Sequence, residues 1–253
     1  MPTVDLNCDL GEGFGDWRMG DDAAMLGIVS SVNVACGFHA GDPQIMAETF
    51  AAAKKAGVAI GAHPAYPDLQ GFGRRPLPYS PKEIERLIAY QLGAAIGVAA
   101  LAGHRITHVK AHGSLANRAT EDAPAADAIA RAVKSVDPSL VILAIAGTEI
   151  EHAAGRCGMK AAREIFADRA YTTAGNLVPR SQPGAVIHDA KLAARRVLEM
   201  LEARAIIAGD GTRIPTGIDS ICVHGDTPGA VVMASAVRQA LTAAGYTLRP
   251  FAP

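Results

Sequence analysis

Short apolar runs that read as buried strands alternate with amphipathic stretches that read as helices along the whole chain, and this alternation restricts the fold to the parallel α/β class. The strands are expected at Thr3 to Cys8, Val32 to Cys36, Val58 to Ala62, Thr107 to Ala111, Leu140 to Ile145, Lys160 to Phe166 and Ser220 to Val223, with a terminal one near Tyr246 to Arg249. About seven principal strands with intervening helices favour an irregular β/α barrel over a doubly wound sheet. No low-complexity linker or shift in composition interrupts the 253 residues, so one domain spanning residues 1–253 is expected.

The helices carry their own punctuation. Asp42 is placed to cap a helix over Pro43 to Ala56 that turns Met46, Phe50 and Ala53 to the sheet. Ser80-Pro-Lys-Glu83 is a capping box, opening a helix to about Ala102 with an apolar stripe of Ile84, Leu87, Ile88, Leu92, Ala95 and Ile96. Further helices are read at Ala123 to Val136, from Thr148, at Asp189 to Ala203 and from Thr227-Pro228, where Asp226 reads first as a cap. Asp210-Gly211 marks a hairpin turn. Two loops, Pro64 to Tyr79 and Tyr171 to Ile187, are too long to be mere connectors.

Four histidines, His39, His63, His112 and His224, stand where an apolar run stops and small residues begin. In a parallel sheet that is the rim where ligand-binding loops gather. His104, His108, His152 and His188 lack this context and read as surface or structural residues. In the first strand the period of two puts Asp5, Asn7 and Asp9 on one face. A buried carboxylate needs partners, so Asp9 is either hydrogen-bonded for structure or set up as acid, base or ligand. Glu12, between Gly11 and Gly13 at the mouth, is a second carboxylate or a solvated loop residue. Lys110 and His112 share a strand face, where Lys110 is either salt-bridged to a neighbouring Asp or a cation that steadies a developing oxyanion.

Asp9 with His39 and His63 supplies a ligand set for a divalent metal with open positions, while a metal-free site with Asp9 or a His as general base is the alternative. Asn7, Glu12 and the loop arginines Arg74, Arg75, Arg169 and Arg180 are the candidates for gripping an anionic substrate, with solvated charge as the plain alternative for the arginines.

Composition narrows the partners. Lys plus Arg number 24 against 25 Asp plus Glu, which leaves no electrostatic footprint for nucleic acid or an acidic membrane. No basic segment leads into an apolar one at the start, and no run is expected to approach the roughly 18 apolar residues of a membrane span. The four cysteines have no Cys-x-x-Cys spacing and read as reduced and buried, as in a cytoplasmic protein. Neither Gly-x-Gly-x-x-Gly nor a Gly-x-x-x-x-Gly-Lys-Ser/Thr loop is present, so the chain shows no signature for holding ATP itself.

Taken together, Asp5-Leu-Asn-Cys-Asp-Leu-Gly-Glu12, Asn33-Val-Ala-Cys-Gly-Phe-His-Ala-Gly-Asp42, Gly61-Ala-His-Pro64, Gly71-Phe-Gly-Arg-Arg75, Phe166-Ala-Asp-Arg-Ala-Tyr171 and Ser220-Ile-Cys-Val-His-Gly-Asp226 closely resemble the LamB/YcsF family from about Val4 to the C-terminus. The resemblance implies a barrel of the glycoside hydrolase/deacetylase type. It also implies ATP-dependent opening of the lactam 5-oxoproline to glutamate, carried out with two further subunits, B and C. On that reading B and C activate the lactam and this chain delivers water. Asp9 is then base or metal ligand, His112 and His224 are acid/base groups and Lys110 stabilises charge. One departure is visible: the family usually reads Lys-Pro-His-Gly-Ala-Leu-Tyr where this chain has Lys110-Ala-His-Gly-Ser-Leu-Ala116, which enlarges and softens that part of the pocket wall. The competing expectations are a metal-dependent deacetylase of an N-acetylated sugar and a non-catalytic ligand-binding or scaffold subunit.

Overall fold

A computed structural model describes residues 1–226 and 229–252. The elements run β1 (Thr3–Leu10), α1 (Asp22–Leu26), β2 (Ser31–Ala35), α2 (Pro43–Ala56), β3 (Ala59–His63), α3 (Pro81–Leu101), β4 (Ile106–Val109), α4 (Gly113–Ala119), α5 (Ala123–Val136), β5 (Val141–Ile145), α6 (Glu149–Arg156), β6 (Lys160–Phe166), α7 (Ala190–Ala203), β7 (Ala205–Ile207), β8 (Arg213–Pro215), β9 (Ser220–Cys222), α8 (Ala230–Ala243) and β10 (Thr247–Leu248). Strands β1 to β6 pair in chain order, and β9 pairs with both β6 and β1, closing a seven-stranded parallel barrel. The terminal strand β10 lies against the start of β1, and β7 and β8 form the hairpin expected around Asp210-Gly211.

Most punctuation acts as read. Asp42 accepts from the backbone N–H groups of Gln44 and Ile45, and the Ser80/Glu83 capping box is complete. Met46, Phe50 and Ala53 are buried, as are Ile84, Ile88, Leu92 and Ala95, while Leu87 and Ile96 are only partly covered. By averaged apolarity and length α3 meets the criterion for a membrane span, contrary to the expectation from the sequence, its charged residues Lys82, Glu83, Glu85 and Arg86 preceding the uncharged stretch Leu87 to Leu101. Its buried stripe belongs to the core around the barrel.

Two short helices, α1 and α4, were not legible as helices, and the second matters for the site. β4 ends at Val109, so His112 is not on the strand but caps the start of α4. The helix start read at Thr227-Pro228 lies outside the described residues. Asp226 pairs with Arg74 at 2.6 Å, and the residue at the α8 N-cap is Gly229.

The lumen is polar where most small barrels are aliphatic. At its base, Ser30, Ser31 and Ser220 all donate to the Asp5 carboxylate. One layer up, Asn7 donates to Glu164 and Ser220 and accepts from Asn33, and the His108 Nε2 donates to the Asn33 Oδ1 at 3.0 Å. Gly61 makes room for that ring, because a Cβ there would overlap His108. His108 is therefore structural, and burial lowers its pKa to about 3. These hydrogen bonds offset much of the desolvation penalty that unpaired lumen residues would carry.

Burial raises Asp5 to about 6 against the pull of its three hydroxyl donors. Because the folded state holds this proton more tightly than the unfolded chain, the associated stability is complete below about pH 4 and disappears as pH rises through about 6. The difference amounts to about 3 kcal/mol. Relative to Asp5→Asn, the wild type is expected to lose that much unfolding free energy between pH 4 and 7 in urea titrations; parallel pH profiles would contradict the assignment.

Candidate active site

Above the asparagine layer the chemistry changes. The Lys110 Nζ lies 3.1 Å from the Asp9 Oδ1 and 2.9 Å from the Glu164 Oε1, and also donates to the Cys222 sulfur. Burial favours a neutral lysine, but the Asp9 carboxylate and then the Cys222 and Glu164 groups outweigh it and hold the ammonium well above its ordinary range. Asp9 is affected conversely: burial pushes it up, yet His63 and Lys110 hold it well below the usual carboxylate range. Glu164 is raised, by burial first and by Asp9, and its Oε2 has no hydrogen-bond partner. The floor of the mouth is thus one cation between two carboxylates, of which Glu164 has the greater proton affinity.

Beside this floor, Glu12, His39, His63 and His112 offer ligand atoms within 4.8 Å of one another, all buried. Gly11, at φ +67, turns the chain after β1 so that Glu12 swings over the imidazoles while Asp9 stays on Lys110 and Asn33. The donor set expected from the sequence, Asp9 with His39 and His63, is corrected accordingly: Glu12 and His112 join the two histidines, and Asp9 only approaches the His63 Nε2 at 3.5 Å.

The hydrogen bonds reveal why this cluster favours an electron-poor guest. The His63 Nδ1 donates to the Lys110 carbonyl at 2.8 Å and the His112 Nε2 donates to the Phe72 carbonyl at 2.9 Å. Their remaining nitrogens, His63 Nε2 and His112 Nδ1, face each other at 3.0 Å. Two lone pairs at that distance require a proton or a cation between or beside them. The His39 Nδ1 is buried without a partner, and burial holds both His39 and His112 well below the ordinary histidine range, so both rings are neutral donors. Three imidazoles and one carboxylate suit a borderline divalent cation such as zinc better than magnesium or calcium.

His224 completes the rim. Its Nδ1 lies 2.8 and 3.0 Å from the two oxygens of Asp168, and its ring stacks on Phe166. This carboxylate fixes the tautomer and leaves the Nε2 free. Burial acts to raise Asp168, but His224 overcomes it and holds the carboxyl low.

Asp9, His63, Lys110, His112, Glu164 and His224 all line one cavity of about 440 Å³. Arg74, Arg169 and Arg180 line it as well. Arg169 donates to the carbonyls of Ala185 and Val178, and burial together with Arg180 lowers it to about 10. Arg75 departs from the expected role, since its exposed guanidinium binds Asp68 and does not face the cavity. Asn7 also lies below it, inside the lumen network, and not on its wall.

Sequence reasoning did not single out Glu164 and Asp168. Glu164 carried the same signal as Lys110, a charge within a short strand run; Arg163 beside it binds Asp219.

The fold is a closed seven-stranded parallel β/α barrel with its polar constellation at the carboxyl ends of β1, β2, β3, β4, β6 and β9. The catalytic domain of a peptidoglycan N-acetylglucosamine deacetylase from Eubacterium rectale shares the fold at TM-score 0.53 and 10% identity, covering 99% of this chain and 90% of that one. The chain belongs to the LamB/YcsF family, whose family model matches residues 4–253. A relative from Azorhizobium caulinodans, the A component of 5-oxoprolinase, is 58% identical over 253 residues, all of both chains. The crystal structure of the lactam utilization protein from Thermus thermophilus superimposes at TM-score 0.92 with 43% identity, covering 98% of this chain and 99% of that one.

Proposed function

We propose that the chain is the lactam-opening subunit of an ATP-dependent 5-oxoprolinase, acting with partner subunits B and C in the cytoplasm to convert 5-oxoproline to glutamate. The observation that carries this reading is the single cavity lined by Lys110, the two carboxylates beside it, His63 and His112 of the histidine cluster, and His224, whose ring is held by Asp168. The four free cysteines suit a reducing compartment. The relative named as the A component of 5-oxoprolinase supplies the substrate and the expectation of partners.

The chemistry divides naturally. A five-membered lactam resists direct hydrolysis, and transfer of the ATP γ-phosphoryl group to its amide oxygen makes the ring carbon more electrophilic. That transfer is assigned to B and C, because this chain shows no sequence signature for holding ATP. Water then adds to the ring carbon and the C–N bond breaks, leaving a free amine and an acyl phosphate; a second water cleaves that acyl phosphate, releasing phosphate and the open amino acid. Lys110 stabilises negative charge developing on oxygen, Glu164 is the stronger proton acceptor of the pair beside it, and Asp9 orients the ammonium. His224, oriented by Asp168, delivers a proton to the departing nitrogen, and Arg169 or Arg180 holds the substrate carboxylate.

Glu12, His39, His63 and His112 would hold a divalent cation. When bound, it supplies Lewis acidity that lowers the pKa of water and polarises oxygen. The same donors favour the second reading, hydrolysis of an N-acetylated sugar. The separating experiment measures glutamate from 5-oxoproline and ATP with this chain in the presence and absence of B and C. Glutamate only from the complete set supports the proposal; N-acetyl hydrolysis without any glutamate would replace it with the second reading.

A further inference from the structure

The cavity does not end at the reacting groups. β4 and β5 share only two residue pairs, His108 with Val141 and Val109 with Ile142, whereas every other neighbouring pair in the ring shares three to five. At this gap the wall of the barrel is thin. The register places Ile145 on the same side as Glu164, facing the lumen, and therefore turns Ile142 to the outer, helix-covered side. Yet Ile142 lines the same cavity as Glu164 and Lys110, together with Ala116 and Ala119 of α4, Ile129 of α5 and Ile150 of α6. The cavity therefore passes from the reacting groups through the gap into a lobe between sheet and helices.

The wall these residues make is alkyl, while Asn117, Thr120, Glu121 and Asn176 line other parts of the same cavity. Ala119, Ile129, Ile142 and Ile150 are buried, and Ala116 and Ala119, three apart on one face of α4, leave the space that larger side chains would fill. A polar group entering this lobe would give up its water without replacement, whereas an alkyl group would gain contacts. A cavity of about 440 Å³ belongs to the size class that encloses ligands larger than a bare five-membered lactam. A ligand that fills both parts has a polar ring at Lys110 and an apolar arm in the lobe.

We propose that the lobe receives an alkyl substituent on the lactam ring, so that the substrates of this chain include ring-alkylated 5-oxoprolines, with Ala116 as the residue that sets this specificity. The identity of the ring rests on the function proposed above; the preference for the alkyl arm is a property of the lobe.

The test titrates the full chain calorimetrically with 5-oxoproline and with 5-oxoproline bearing a propyl group on the carbon beside the carbonyl. The propyl compound binds at least roughly tenfold more tightly, in line with what buried methylenes contribute to discrimination. Ala116→Leu abolishes that ratio, and Ala119→Val reduces it should the first variant fold poorly. In the complex with B and C the ratio of kcat/KM values for the two lactams moves the same way. Equal affinities, no binding of the propyl compound, or a preference that survives both substitutions would overturn the proposal. Absence of the ring-opened product from both lactams (glutamate from 5-oxoproline, its propyl derivative from the alkylated ring) would instead overturn the proposed reaction, with the affinity ratio still deciding the lobe.

Discussion

Lys110→Met lowers the unfolding free energy by about 3–5 kcal/mol in urea denaturation, because it leaves two buried carboxylates facing each other without their cation. The Lys110 ammonium stands 3.1 Å from Asp9 and 2.9 Å from Glu164, and all three side chains are almost completely shielded from water. Methionine approximates the volume of the lysine stem, so the loss is electrostatic more than steric. Glu164 responds by taking a proton, as burial and Asp9 already raise it. The double variant Lys110→Met/Glu164→Gln is therefore expected to recover part of the loss, a non-additivity of about 1–3 kcal/mol. In the complete enzyme the single variant also slows glutamate formation by roughly 100-fold or more, the scale of losing one preorganised stabiliser of developing charge. A Lys110→Met protein as stable and as active as the wild type would mean that the buried ammonium is an incidental salt bridge.

The second large effect concerns the histidine cluster. Protein purified without added metal is expected to carry about one equivalent of a divalent cation, with zinc favoured by the donor types. His63→Ala removes a central donor and one of the two facing nitrogens at 3.0 Å. Metal content by elemental analysis then falls to background, and glutamate formation drops on the order of 1000-fold, equivalent to several kcal/mol of transition-state stabilisation. Chelation followed by zinc restores the wild type and not the variant. A chain free of metal, indifferent to chelator and fully active would assign the cluster to proton sharing between His63 and His112 instead.

Much of this architecture was legible because backbone periodicity and capping are local. The alternation of strand and helix, the Asp42 and Ser80 caps and the shared face of Asp5, Asn7 and Asp9 depend on neighbours within a few residues, and each stands in the fold as read. The convergence of distant histidines was legible for a topological reason, since parallel strands bring their carboxyl ends to one rim.

What local reading could not supply was the partner of each lumen group. Asp9 binds Lys110, which lies 101 residues away, so its grouping with His39 and His63 could not be separated from the alternative in which Glu12 takes that place. The turn at Gly11 decides between them, and its direction is a matter of tertiary packing. Likewise, α4 is a seven-residue helix whose N-cap His112 makes no side-chain capping bond, so nothing in the sequence announced that His112 had left the strand.

The most direct test of the central claim uses Asp9→Asn, which keeps the shape of the side chain near the end of β1 while removing its charge from Lys110. Assembled with B and C and supplied with 5-oxoproline and ATP, the variant is expected to fold, to join the complex and to lose at least roughly 100-fold in glutamate formation. Glutamate formed at the wild-type rate would contradict the placement of the chemistry at this mouth.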